Sequence, residues 1–259
     1  MSDLDNMLDY LLDVARGDMP GPIGMLKAPD EKGPLGEYLI KYVLDNMIAT
    51  TGYPTYTNLI VPNPNSLAHT AEIDVLLLTI KGIFVFESKN YAGWIFGSAG
   101  QRQWTASLAK DKRERFYNPV MQNREHVRAL AAYLGLHESA FRSYIVFSKR
   151  SVLKEVPADT PEYCVCQRSS LRSRLRNVLR AREAIFSDEH FRSLKARLDV
   201  LAAASGEGAR EEHVEQAREA MRTCPLCGKP LVERHRKSDG GAFIGCSGYP
   251  RCRYTRAAW

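Results

Sequence analysis

Between His69 and Gly93 the sequence reads HTAEIDVLLLTIKGIFVFESKNYAG. Glu72 and Asp74 precede one apolar run, and Glu87 and Lys89 close the next. Runs of this kind are buried strands, and ionised groups at their ends cost several kcal/mol unless they are paired or bound to a cation. Lys81-Gly82 predicts a two-residue hairpin turn, with Ile80 facing Ile83, Leu76 facing Glu87 and Asp74 facing Lys89. Side chains alternate along a strand, so Glu72, Asp74, Glu87 and Lys89 all project to one side, together with Leu76, Leu78, Ile83 and Val85. Three acids against one lysine leave excess negative charge, which a hard divalent cation such as Mg²⁺ would neutralise. A solvated face with cross-strand ion pairs is the alternative.

The second group of reactive side chains lies at the other end of the chain, in CPLCGKPLVERHRKSDGGAFIGCSGYPRCRYT. Cys224 and Cys227 form one close pair, Cys246 and Cys252 another, and four thiolates in two pairs suit tetrahedral zinc with no open position. That zinc is structural. From Arg222 onward there are eight basic residues against two acidic ones, so the whole formal charge of +6 sits in this tail. A basic excess is the footprint of a polyanion-binding surface, or merely a solvated charge run. Arg234, Arg236, Lys237, Arg251 and Arg253 would follow phosphates. Tyr249, Tyr254, Phe243 and Trp259 would stack on bases, or pack in a very small core.

The intervening chain must position these groups. Its 259 residues, 44% hydrophobic and 25% charged, can bury a sizeable core and a small second unit. No apolar run is long enough for a membrane span. The start, MSDLDNMLDYLLDVARGDM, is acidic and lacks the pattern of a signal peptide, so a cytoplasmic location is expected. Leu4, Leu8, Leu11 and Leu12 predict a short helix before a Gly/Pro loop. A helix follows Pro34 with Leu35, Leu39, Tyr42, Val43 and Met47 toward the core. YPTYTNLIVPNPNS predicts a strand and a loop, and GWIFGSAGQRQWTAS two short strands. Asn118 and Pro119 open a helix as N-cap and first-turn residue. SYIVFS and EYCVCQ read as strands, with Cys164 and Cys166 as buried thiols. SSLRSRLRNVLRAREAIF and DEHFRSLKARLDVLAAAS predict helices. GEGAREEHVEQAREAMR predicts a charged connector. Strands flanked by helices give an α/β class: a mixed sheet between helices, plus a small C-terminal zinc ribbon. The expected division is 1–30 N-terminal helix and loop, 31–200 main domain, 201–221 charged helical linker and 222–259 zinc module.

The segments GEYLI, EIDVLLLT, IFVFESKNYAGWIFG, QWT and NPVMQNREHVRAL together resemble the nuclease-related domain, NERD, of the PD-(D/E)xK nuclease-like superfamily, over residues of about 30 to 150. Ile73 stands where that superfamily usually has proline. The resemblance implies a restriction-endonuclease-like fold and hydrolysis of DNA phosphodiester bonds with Mg²⁺ or Mn²⁺, with an endonuclease as the expected form. On it, Asp74, Glu87 and the Ser88 backbone carbonyl hold the cation, Lys89 orients water or neutralises developing charge, Glu37 extends the acidic set and Gln122 positions water or DNA. His126 and Glu72 are given no catalytic role. The tail is similar to the C4 zinc finger of bacterial type I topoisomerases, which implies DNA binding, single strands included. Two other readings stay open: a catalytically inactive DNA-binding accessory protein on a nuclease-like fold, and an RNA-directed enzyme.

Overall fold

The structure, a computed structural model, describes residues 32–257 apart from 65, 67, 110, 111 and 237. The expected N-terminal helix, Lys237 and Trp259 lie outside the described residues. The centre is a five-stranded mixed sheet in the order β1-β2-β3-β7-β9, built from β1 (Thr55–Pro62), β2 (Thr70–Thr79), β3 (Gly82–Lys89), β7 (Phe141–Phe147) and β9 (Tyr163–Gln167). β1, β2 and β3 form an antiparallel meander, and β3, β7 and β9 run parallel. A second sheet in the order β6-β5-β4-β8 is built from β4 (Gly93–Phe96), β5 (Gln103–Ala109), β6 (Lys112–Tyr117) and β8 (Ser151–Glu155).

The described residues also form five α-helices: α1 (Lys32–Ile48), α2 (Pro119–Leu134), α3 (Arg168–Ala181), α4 (Asp188–Ala204) and α5 (Glu207–Arg222). The central strands are apolar on both faces because both faces are covered. Leu76, Leu78, Ile83 and Val85 pack under α2 and α4, against Val127, Leu130, Leu194 and Leu198. Val75, Leu77, Phe84 and Phe86 pack under α1 and α3, against Ile40, Leu44, Leu171 and Leu175. Cys164 and Cys166 are buried free thiols in that second layer.

Several expectations need correction. The hairpin turn is Ile80–Lys81, because Thr79 pairs with Gly82. Thr79 Oγ1 accepts the Lys81 N–H at 3.0 Å, and Gly82 takes φ +130, a conformation that suits glycine. The pairing is therefore two residues away from that predicted, with Leu76 opposite Val85. An even shift preserves every face, so the acidic side stays together. α1 buries Leu39, Ile40, Leu44 and Ile48, while Tyr42, Val43 and Met47 are half-buried. α3 ends at Ala181, short of Phe186. β6 and β8 are additional strands. β6 reads KRERFY and buries only Phe116 among its described side chains, so it lacks an apolar alternation.

Candidate active site and metal centre

Asp74 and Glu87 are brought together by the end of a ladder. The β2–β3 pairing stops at Val75–Phe86, which leaves the Ser88 N–H without a strand partner. Asp74 Oδ2 accepts it at 2.8 Å. This contact engages Ser88 through its N–H. Its side chain points to the opposite face, where α1 comes so close that a Cβ at Gly36 would collide with Ser88 Oγ.

Glu87 and Lys89 share the face covered by α2. Lys89 Nζ donates to Glu87 Oε1 at 2.7 Å and to Gln122 Oε1 at 2.9 Å. Gln122 is held there by the start of its helix. Buried Asn118 accepts the Val120 and Met121 N–H groups and donates its own amide to the carbonyls of Ser98, Ala99 and Gln101. Asn123, next to Gln122, fixes the helix to the sheet by donating to Val85 O at 3.0 Å and Ser143 Oγ at 2.7 Å. One turn after Gln122, His126 Nδ1 lies 3.3 Å from Glu87 Oε2. That oxygen has no aligned hydrogen-bond donor although it is buried. Glu37 sits buried on the first turns of α1, near enough for its charge to act on Asp74.

The two central carboxyls behave in opposite ways. Burial works against ionising Glu87, but Lys89 and His126 outweigh it and hold the group down at about 2. Burial, reinforced by the negative charge of Glu87, pushes Asp74 well above the ordinary carboxylate range. Burial likewise raises Glu37, with nearby Arg210 opposing it and Glu72 and Glu87 reinforcing it. Burial alone would lower Lys89, but Glu87 lifts it above its usual value. The arrangement therefore contains a fixed anion–cation pair beside carboxyls that resist a further negative charge. Such a site would favour an added cation, and Glu87 Oε2, whose contact with His126 is not an aligned hydrogen bond, is an oxygen that could bind one.

The sequence-predicted set Asp74, Glu87, Lys89 and Gln122 is thus linked by direct contacts or through Ser88, with Glu37 at its margin. Two neighbours escaped the sequence reading as functional groups. His126 carried a usable signal, four residues from Gln122 on one helix face. Arg210 of α5 carried none. It lies 2.6 Å from Glu72, on the same strand face as Asp74.

The four tail cysteines converge without any comparable core. Their sulfurs all lie within 4.8 Å of one another, with Cys224–Cys252 at 3.6 Å and Cys227–Cys246 at 3.3 Å. A tetrahedral site with Zn–S bonds of about 2.3 Å has sulfur–sulfur edges of about 3.8 Å, so the cluster fits zinc. Burial opposes ionisation of Cys224, yet the Leu226 and Cys227 N–H groups aimed at its sulfur bring it to about 7. The frame is a three-stranded antiparallel sheet of β10 (Leu231–His235), β11 (Ala242–Cys246) and β12 (Thr255–Ala257). On it, Arg234, Phe243, Tyr249, Arg253 and Tyr254 line a cleft of about 400 Å³. The Arg234 guanidinium sits 5.7 Å from the centre of the Tyr249 ring, and Tyr249 is 61% exposed. Arg251 is exposed outside the cleft, and Arg236 pairs with Asp239 at 3.0 Å on the hairpin.

Residues 32–148 match the nuclease-related domain family, and residues 221–258 match the topoisomerase DNA binding C4 zinc finger. An uncharacterized protein of Bacillus anthracis is 34% identical over 102 residues, 39% of this chain and 46% of its own length. DNA topoisomerase 1 of Mycoplasma genitalium is 47% identical over 34 residues, 13% of this chain and 5% of the enzyme. DNA topoisomerase 1 of Methanocaldococcus jannaschii is 53% identical over 40 residues, 15% of this chain and 5% of the enzyme. The matched stretch is thus about half of the first relative and a small fraction of the topoisomerases, where it falls on the zinc-finger region. The chain carries a nuclease-related domain and a topoisomerase-type zinc ribbon, and no helix among its described residues is long and apolar enough to cross a membrane.

Proposed function

We propose that this chain is a divalent-cation-dependent nuclease that hydrolyses DNA phosphodiester bonds as an endonuclease, with the zinc ribbon tethering it to its substrate. The division is a catalytic unit of residues 31–200, a helical connection over 201–221 and a DNA-binding unit of 222–259. One observation carries the reading: Lys89 bridges Glu87 and Gln122 on the face where Asp74 also lies. A half-buried ammonium is held between a carboxylate and a helix amide, with a second carboxyl on the same face, an arrangement that a purely structural ion pair does not need.

Asp74 and Glu87 would hold Mg²⁺ or Mn²⁺, with Glu37 extending the negative set and the Ser88 carbonyl beside it. When bound, the ion supplies Lewis-acid polarisation of the phosphoryl group. Lys89 neutralises charge that grows on the phosphoryl oxygens, or orients the attacking water. Gln122 fixes the Lys89 ammonium with its carbonyl and keeps its NH₂ group to direct water or the DNA strand. In the ribbon, Arg234, Arg236, Lys237, Arg251 and Arg253 contact phosphates, and Tyr249 and Tyr254 offer ring faces to bases. Unstacked bases are accessible to such rings, so the ribbon prefers single strands.

A second reading, a DNA-binding protein without activity, is favoured by one fact. Among the described residues only the four cysteines bring three or more metal-ligating groups within 4.8 Å. Incubating the purified protein with linear, circular and single-stranded DNA decides between the readings. Cleavage with Mg²⁺ or Mn²⁺, lost when divalent cation is withheld, supports the nuclease. Binding without cleavage under every cation supports the accessory protein.

A further inference from the structure

The connector helix α5 does not stand free in solvent. Ser205, just before it, accepts the edge N–H of Ile60 on Oγ at 2.8 Å, and Ile60 pairs across the ladder with Glu72. One turn on, Arg210 Nε reaches Glu72 Oε1 at 2.6 Å. Three residues later, His213 Nδ1 lies 2.6 Å from Thr70 Oγ1. Arg210 and His213 share a helix face, and Thr70 and Glu72 share a strand face. The helix therefore crosses the end of β2 in a defined register, although none of its own residues is buried. Asp74 follows Glu72 on the same face, about 6.6 Å further along the strand. The charge of Arg210 acts on Glu37, across the same acidic group.

We propose that Arg210 is a phosphate-binding residue of this site, held by Glu72 until a nucleic-acid phosphodiester replaces that carboxylate. This deepens the nuclease reading and rests on it. The pair is made by Nε, so the terminal nitrogens of the fork remain to bind two oxygens of a phosphate. Both side chains are partly exposed, at 36% and 21%, with Glu72 Oε1 itself buried, so the pair is reachable from solvent on the guanidinium side. A phosphodiester presents two oxygens to the same guanidinium fork, so it can take the place of the carboxylate. The guanidinium also counters the excess of acids that would otherwise repel a polyanion. Cys224 lies just beyond the last residue of α5, and Arg256 Nη2 in the ribbon donates to Met221 O on that helix at 2.8 Å. A strand held by the ribbon is thereby led toward Arg210.

The test compares full-length wild type with Arg210→Ala, Arg210→Lys and Glu72→Gln. Binding of a short oligonucleotide is measured across a salt series with Ca²⁺, a cation of the same ligand preference. Cleavage is measured separately with Mg²⁺. Arg210→Ala should lower the slope of log affinity against log salt by about 0.7–0.9, the share of one phosphate contact. Glu72→Gln should tighten binding, because it releases the guanidinium, and Arg210→Lys should keep the slope while losing part of the cleavage rate. An unchanged slope in Arg210→Ala overturns the proposal. So does equal weakening by Arg210→Ala and Glu72→Gln, which is the behaviour of a pair that only pins the helix. If wild type cuts nothing, the nuclease reading fails, while the salt slope still decides whether Arg210 meets phosphate.

Discussion

The acidic site and the zinc ribbon both gather groups of types that can ligate cations, but the fold holds them in different ways. Asp74, Glu87 and Lys89 sit on strands buried between four helices, and Asn118 and Asn123 fix the helix that brings Gln122. There the fold builds the site, and on the reading proposed here a cation would add to it. In the ribbon, the buried residues among those described are Gly245 and two cysteines, Cys224 and Cys246. There, on this account, zinc would build the fold. The difference predicts two separate stability roles for metal-ligating residues, of which only one leaves the protein folded when the metal is removed.

The sharpest way to break this contrast is to remove zinc. Structural zinc contributes about 10–16 kcal/mol to modules of this kind, far more than so small a sheet gains from burial. Cys246→Ser or a zinc chelator should abolish amide protection over β10–β12 while leaving β2, β3 and β7 protected in hydrogen exchange. A ribbon that stays protected without metal would erase the distinction.

The next largest effect separates two variants inside the acidic site. Lys89→Ala removes the ammonium from buried Glu87 and leaves only His126 beside its carboxylate, which should cost up to about 3–5 kcal/mol in a denaturant melt. Asp74→Asn keeps an oxygen for the Ser88 N–H and removes only the charge, so the fold should hold while cleavage falls at least about a hundredfold. Equal destabilisation by both would mean that Lys89 is not the counter-charge of Glu87.

The pH dependence sharpens the same point. An acid whose pKa is raised by folding binds protons more tightly in the native state, so its contribution to stability falls as pH rises above the unfolded value. For Asp74 that loss begins near the ordinary aspartate value of 3.8 and continues to the raised native value. Thermal melts without divalent cation should therefore show Asp74→Asn gaining on wild type as pH rises through this window. Added Mg²⁺ should restore wild type most at the high-pH end. Glu87 runs the other way: its stabilising share is present above 4.5 and is lost as pH falls toward about 2.

The smallest effect belongs to the ribbon surface. Tyr249→Ala should reduce affinity for single strands by about 1–3 kcal/mol, the contribution of one stacked base, with zinc content unchanged. An unaltered affinity for single strands would move the DNA contact away from the Arg234–Tyr249 cleft.

How much of this was legible in the sequence depends on how far apart the partners lie. The four cysteines announce themselves through local spacing alone. Asp74, Glu87 and Lys89 were legible because strand parity survives a two-residue error in the turn, which a one-residue error would not have allowed. Gln122 was picked out by the resemblance to the nuclease family, and Asn118 and Pro119 placed it in the first turns of a helix. The docking of α5 was not legible. A charged helix with no buried residue has the same sequence pattern whether it is solvated or laid across a strand end, and Glu72 is distant from Arg210 along the chain. Short polar strands such as β6 escaped for a related reason, since their backbone pairing leaves little trace in side-chain pattern.

The most direct test of the division between a fold-built active site and a metal-built tether is steady-state cleavage of circular DNA in Mg²⁺. Wild type is compared with Asp74→Asn and with protein ending at residue 221. The account predicts that Asp74→Asn loses kcat with DNA binding retained. It predicts that the truncated protein keeps kcat at saturating DNA while KM rises. Loss of kcat in both variants, or no cleavage by wild type, would contradict it.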